Sequence, residues 1–196
     1  MAAKSNLINM ALCLFGVCLV CGALLGGVYA VTLRPIQEAA AAEARAAIAE
    51  VLPEGGEISE ALQGDGGMEY YRCVADSAVI AYAVKSTAGG FGGPLTLMVG
   101  VLPDGSIWNT KVLAHSETPG LGAKCATDEG FIAQWKGFKG NFAVRKDGGD
   151  VDAITASTIT SRAYAKAVAQ ASALVLGLTG KAADNYTGAS IVKTEE

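Results

Sequence analysis

Leu95-Thr-Leu-Met-Val-Gly-Val-Leu102 and Ser106-Ile-Trp-Asn-Thr-Lys-Val-Leu-Ala114 flank the turn Pro103-Asp-Gly105. Both runs are rich in strand formers, and Asp-Gly between such runs is a strong hairpin signal. Upstream, Tyr70–Ala75 and Val79–Ser86 read as two more strands around Asp76-Ser77, and Gly89-Gly-Phe-Gly-Gly-Pro94 as a tight glycine loop. Downstream, Thr127–Gln134 reads as a short helix with Thr127 as a candidate N-cap, and Ala143–Arg145 as a short strand before the Asp147-Gly-Gly-Asp150 turn. Ile159–Leu178 reads as a long apolar helix ended by Gly180. Antiparallel strands followed by a helix argue for an α+β fold, a mainly antiparallel sheet with flanking helices, rather than a parallel doubly wound one.

The chain has 196 residues, enough for one domain plus an anchor. Its net charge of -4 and pI near 5.1 give no basic footprint, which argues against nucleic acid as a partner. Mean hydropathy is +0.34, and much of it comes from the first 33 residues. Leu7 to Leu33 carries no charge and is long enough for a single transmembrane helix in contact with membrane lipid. A cleaved signal peptide is the competing reading, but its apolar core is shorter, about 7–15 residues. Basic residues barely discriminate the orientation: Lys4 lies before the span, Arg34 and Arg45 after it. The organisation read here is an anchor over 1–33, a stalk helix and loop over 34–68, a domain over 69–180 and a polar tail over 181–196. Pro35 is placed at the start of the stalk helix Arg34–Val51, and Leu52–Gly67 as loop. Cys73 and Cys125 are the two cysteines outside the anchor, and spacing alone leaves their pairing open. No Cys/His set has metal-ligand spacing. The two tryptophans, Trp108 and Trp135, read as core residues.

Two segments carry chemistry. Asp152-Ala-Ile-Thr-Ala-Ser-Thr158-Ile-Thr-Ser-Arg162 sets an acid and five hydroxyl side chains at the start of the last helix. Helix starts offer free N–H groups and a positive dipole end, which suit a phosphate. Local composition alone favours the plainer reading, with Thr158 or Thr160 as a helix cap and Asp152 as a turn residue. His115-Ser-Glu-Thr-Pro-Gly-Leu-Gly122 follows the hairpin. There Pro119 stiffens the loop, Gly120 and Gly122 let backbone approach a flat ligand, Glu117 and Thr118 supply polar groups and Leu121 an apolar one. His115 reads as a solvated loop residue rather than a proton donor.

Together these segments resemble the covalent-FMN domain shared by the Rnf complex's G subunit and the C subunit of the Na⁺-pumping NADH:quinone reductase. That family's attachment motif runs Asp-x-(Ile/Val)-(Ser/Thr)-Gly-Ala-Thr-x-(Thr/Ser), and its second signature has the core Glu-Thr-Pro-Gly-Leu-Gly, intact here over Glu117–Gly122. Ala156 stands where the first motif has Gly, and Ser157 where it has Ala. The C subunit is usually longer, so the chain is more similar to the G subunit. The resemblance implies FMN phosphoester-linked to Thr158. The remaining cofactor-binding positions it implies are Glu117, Thr118, Leu121, Gly122, Lys124, Thr155, Ala156, Ser157, Ile159 and Thr160, with Lys124 offsetting phosphate charge. It implies an electron-carrier subunit of an ion-translocating ferredoxin:NAD oxidoreductase, with the other membrane and iron–sulfur subunits and a separate flavin transferase as partners. No catalytic side chain is implied, because the flavin supplies the redox chemistry. It places the FMN domain on the outer face of the cytoplasmic membrane. A stand-alone membrane-anchored reductase and a flavin-free structural subunit remain as alternatives.

Overall fold

The computed structural model describes residues 7–180, so the polar tail lies outside the described residues. The chain forms two compact units, Met1–Glu43 and Ala44–Glu196. Helix α1, Leu7–Val51, contributes to both. Its most apolar window has a mean hydropathy of 2.4 and is wholly exposed. The uncharged stretch from Leu7 to Leu33 would span about 40 Å at ~1.5 Å per residue, more than the roughly 30 Å of a bilayer's hydrocarbon core. Pro35 was expected at a helix start, but it lies inside α1. The apolar Leu7–Leu33 stretch and the Ala-rich segment after it both favour helix, and one missing N–H does not interrupt the run. One turn earlier, the Thr32 hydroxyl donates to the Val28 carbonyl at 2.8 Å.

In the second unit one antiparallel sheet holds the strands β1 (Glu57–Ile58), β2 (Leu62–Gln63), β3 (Glu69–Ala75), β4 (Ala78–Gly89), β5 (Pro94–Val101) and β6 (Ile107–Ala114). Their order is β1-β3-β4-β5-β6, with β2 also on β3. The short strands β1 and β2 fall in the stretch read as loop. Two residues each are too few to show an alternating pattern, and it is the partner strand β3 that orders them. Asp76 and Ser77 both have positive φ, at 49° and 65°, as a two-residue hairpin turn of this twist requires. The Pro103-Asp-Gly105 turn closes with Leu102 N–H to Ser106 O at 2.9 Å. Gly105 sits at φ 84°, and the Ser172 hydroxyl donates to its carbonyl at 2.7 Å.

Strand alternation sorts the core into two layers. Tyr82, Val84, Leu95, Leu97, Val99 and Val101 face helix α3 (Thr158–Leu178) and the aromatic cluster of Phe131, Trp135 and Tyr164. Ala81, Ala83 and Met98 on the opposite face pack with Ala47, Ile48 and Val51 from the end of α1. Gly100 makes that approach possible: a Cβ there would stand 1.8 Å from the Val51 carbonyl oxygen. Cys73 and Cys125 are both free and buried, and they belong to different layers. Trp135 is fully buried, whereas Trp108 on β6 is 45% exposed, contrary to its reading as core. An alternating strand sends every second side chain outward, and position 108 falls on the outward phase.

Two local expectations change. The short helix α2 covers only Glu129–Ala133, and its N-cap is Asp128, whose carboxylate accepts from Phe131 N–H at 3.0 Å. Asp fills the cap in place of Thr127 because it stands three residues before the free donor. Around Val144 there is one isolated bridge, to Val151, in place of a strand. Arg145–Asp147 coils instead into a 3₁₀ turn that the following glycines close.

Candidate functional site

The first turn of α3 forms one wall of an open cleft of about 340 Å³. Ala156, Ser157, Thr158, Ile159 and Thr160 line it on that side, Glu117, Thr118, Leu121 and Gly122 on the second, and Phe91 on the third. The two sequence segments with chemical character therefore meet in space. Thr155 opens instead onto a neighbouring groove with Asp128, Gln134 and Asp152. Lys124 lies outside the cleft lining, exposed on a 3₁₀ turn, Gly122–Ala126.

The helix start is held by backbone geometry. Ser157 is the N-cap but makes no capping bond, and its hydroxyl is buried without a partner. Neither Thr158 nor Thr160 caps the helix. Thr158 Oγ1 accepts from Lys146 Nζ at 3.4 Å, and the Thr160 hydroxyl donates to Glu117 Oε2 at 2.9 Å. The Ser161 hydroxyl accepts from Ile154 N–H at 2.9 Å and donates to the Ser157 carbonyl at 3.0 Å, folding the loop onto the helix. Asp152 does not fix the turn through its carboxylate, which pairs with Arg145 at 2.9 Å on the surface. The Gln134 amide grips the backbone there instead: Oε1 accepts from Asp152 N–H at 2.8 Å and Nε2 donates to Asp152 O at 3.1 Å.

Lys146 is brought to Thr158 by its neighbour. Arg162 on α3 donates two hydrogen bonds to Asp147, at 2.6 and 2.7 Å, and so pins the 3₁₀ turn beside the helix start. Those bonds first, and the guanidinium charge second, hold the Asp147 carboxyl below its ordinary value. Lys146 is not part of the cleft lining, but its ammonium reaches Thr158 Oγ1 at the helix start, so a cation and a helix N-terminus, features that stabilise a phosphate, meet at that hydroxyl.

Glu117 is 6% exposed. Its Oε1 accepts from Phe91 N–H at 2.8 Å and from Gly92 N–H at 3.4 Å, while Oε2 takes the Thr160 hydroxyl. His115 sits behind it, half-buried, with Nδ1 accepting from Glu117 N–H at 3.3 Å. Phe91, Leu121 and Ile159 are 69%, 45% and 50% exposed, although each is large and apolar. Apolar groups gathered at one polar-rimmed cleft mark a binding surface. Sequence reading missed Phe91, Lys146 and Gln134. Phe91 had a signal, an aromatic side chain set in a flexible glycine loop, whereas Lys146 and Gln134 are recruited only by the fold.

This donor set fits a flat aromatic ligand with a phosphate. The apolar groups suit a ring, the orphaned Ser157 hydroxyl lacks a partner, and the helix start with Lys146 suits the anion. Residues 90–173 match the FMN-binding domain family. The G subunit of the proton-translocating ferredoxin:NAD(+) oxidoreductase complex of Clostridium ljungdahlii is 37% identical over 120 residues, 59% of this chain and 64% of that protein. The G subunit of an ion-translocating oxidoreductase complex of Pasteurella multocida is 31% identical over 182 residues, covering 82% of this chain and 89% of its own. The chain spans 57% to 64% of the first three curated relatives it matches. Among solved structures, the C subunit of the Na(+)-translocating NADH-quinone reductase from Parabacteroides distasonis aligns with a TM-score of 0.46 at 25% identity, over 57% of this chain and 62% of that one. With the Pasteurella relative matched over most of its length, the chain belongs to the family of G subunits of ion-translocating oxidoreductase complexes.

Proposed function

We propose that this chain carries FMN joined through its phosphate to the Thr158 hydroxyl oxygen, and relays electrons within a membrane-bound, ion-translocating ferredoxin:NAD oxidoreductase complex. The carrying observation is the position of Thr158. Its oxygen stands on the cleft wall in the first turn of a 21-residue helix, 3.4 Å from Lys146 Nζ. Net attachment joins that oxygen to phosphorus and releases one water. Bound FMN supplies the electron-transfer chemistry.

The protein's residues do the rest. Lys146 and the helix start hold the phosphate. Leu121, Ile159 and Phe91 cover the ring and exclude water, and the Ser157 and Thr118 hydroxyls orient it. A covalent bond suits a relay, because the cofactor's distance to its partners is then fixed. The names of the relatives support the complex: those proteins serve ion-translocating oxidoreductases. Residues 1–33 anchor the chain in the cytoplasmic membrane as a single span among lipids, and the FMN domain, whose sheet and core also take in residues of the 34–68 segment, faces outward. Its partners are the other membrane and iron–sulfur subunits, with a separate flavin transferase for maturation.

Intact mass after co-expression with a flavin transferase tests the reading. One FMN less one water is the expected gain, and Thr158→Ala abolishes it. No adduct on the unaltered chain selects a flavin-free structural subunit. A flavinylated chain that never co-purifies with other membrane subunits selects a lone reductase. A membrane-impermeant protease on intact cells reaches the residues after Arg34 if the domain faces outward, and leaves a tag before Lys4 intact.

A further inference from the structure

Glu117 looks like a ligand contact in the sequence, yet its carboxylate is spent inside the protein. We propose that Glu117 is a positioning residue, a latch whose carboxylate fastens the Phe91 loop to the first turn of α3 and so holds two walls of the cleft at a fixed separation. This inference rests on the FMN reading for its purpose but not for its geometry.

Four observations converge on the latch. Both carboxylate oxygens are engaged, Oε1 by Phe91 and Gly92 N–H and Oε2 by the Thr160 hydroxyl. Among the described residues no cation pairs with it, and it is 6% exposed, so hydrogen bonds alone hold the charge in place. The surrounding glycines leave room for that carboxylate and little else. A Cβ at Gly90 would lie 2.1 Å from Oε1 and one at Gly122 2.4 Å from Oε2. The loop itself presses on the same segment, since a Cβ at Gly92 would lie 2.1 Å from the Ser116 carbonyl oxygen. A four-residue loop of this composition has little rigidity of its own: its one internal bond is Gly90 N–H to Gly93 O at 2.8 Å. Phe91 is 69% exposed. Among the described residues Glu117 supplies the only side-chain hydrogen bonds to this loop, and through Thr160 it ties the loop to the first turn of α3.

Two substitutions separate position from charge. Glu117→Gln keeps a carbonyl oxygen for Phe91 and Gly92 and turns its NH₂ toward Thr160, whose hydroxyl rotates to accept. Glu117→Ala removes every bond. The first readout is backbone amide exchange at Phe91 and Gly92 in flavin-free full-length protein in detergent. Glu117→Ala speeds it by about tenfold or more, and Glu117→Gln leaves it close to the unaltered chain. The second is visible-region circular dichroism of the flavin-loaded protein, which reports how firmly the ring is held in an asymmetric site. It falls in Glu117→Ala and is rescued in Glu117→Gln. Thr160→Val, nearly isosteric, serves if Glu117→Ala fails to fold: it leaves exchange at Phe91 and Gly92 slow but lowers the dichroism. Unchanged exchange in a folded Glu117→Ala protein overturns the latch, as does a Glu117→Gln protein as impaired as Glu117→Ala. Unchanged dichroism in Thr160→Val overturns it too. If the unaltered chain takes up no flavin while the exchange pattern holds, the FMN reading fails and the latch stands.

Discussion

Gly122→Ala adds one methyl group where the structure has none to spare. The new Cβ would stand 2.4 Å from Glu117 Oε2, 2.7 Å from Thr160 Oγ1 and 2.9 Å from Glu117 Cβ. All three belong to one buried hydrogen-bonded pair, so relief means pushing Glu117 off Thr160. Hydrogen bonds to charged groups contribute about 1.5–3 kcal/mol, and a buried carboxylate short of a partner is penalised further. Gly122 φ lies outside the left-handed range, so backbone strain adds nothing. A loss of about 2–3 kcal/mol is expected, or ~6–9 °C at about 3 °C per kcal/mol for a domain of this size. Gly120→Ala is the internal control. Position 120 has φ +77° and open space around it, so the cost there is conformational strain alone, about 1 kcal/mol. Thermal and urea unfolding of the flavin-free chain in detergent read both variants. A Gly122→Ala protein as stable as Gly120→Ala, or within about 0.5 kcal/mol of the unaltered chain, refutes the argument.

Ala156→Gly relieves a left-handed residue at φ 61° and should raise stability by about 0.5–1 kcal/mol in the same unfolding assay, after the added unfolded-state entropy of Gly is subtracted. Lys146→Gln should leave stability within about 0.5 kcal/mol, as an exposed side chain does, yet slow flavin attachment followed by intact mass at limiting transferase. Burial, with a smaller contribution from the Glu117 charge, pushes the Cys125 thiol up to about 11 from 9.0. Its folded pKa is raised, so the stability it contributes is complete below pH 9 and is lost as pH climbs toward 11. Cys125→Ala should flatten that alkaline decline, and alkylation at pH 8 should reach Cys73 and Cys125 only on unfolding.

The antiparallel sheet was legible because its signals are local. Strand formers either side of Asp-Gly, and a two-residue turn at Asp76-Ser77, state the pairing within a few residues of chain. Strands β1 and β2 were not legible, because two residues carry no period and their order comes from β3. The site divides the same way. Motif residues Glu117–Gly122 and Ala156–Thr160 could be named from sequence, but their meeting depends on the chain folding back across a separation of 43 residues so that Thr160 reaches Glu117. Lys124 was favoured for phosphate because it adjoins a motif. The cation that reaches Thr158 is Lys146, because the Arg162–Asp147 pair fixes its turn, a contact that spans 15 residues. Glu117 was read as a group offered to a ligand, and only its three donors show that it faces inward.

Ala156 shows what the attachment motif encodes physically. The motif calls for Gly there, and the structure holds the residue at φ 61°, a conformation Gly adopts freely and Ala at about 1 kcal/mol or more. The turn nevertheless keeps its form, because bonds on both sides set it independently of residue 156. Ser157 N–H reaches Ile154 O at 3.0 Å, Ile154 N–H reaches Ser161 Oγ at 2.9 Å, and Gln134 fixes the backbone at Asp152 from both directions. What the turn achieves is to launch α3 so that Thr158 faces the cleft while Ile154 stays in the core. A left-handed residue two positions before Thr158 is therefore the requirement, and glycine is its least strained solution rather than its only one. The departure at Ala156 alters the cost of the turn and leaves the direction of Thr158 intact.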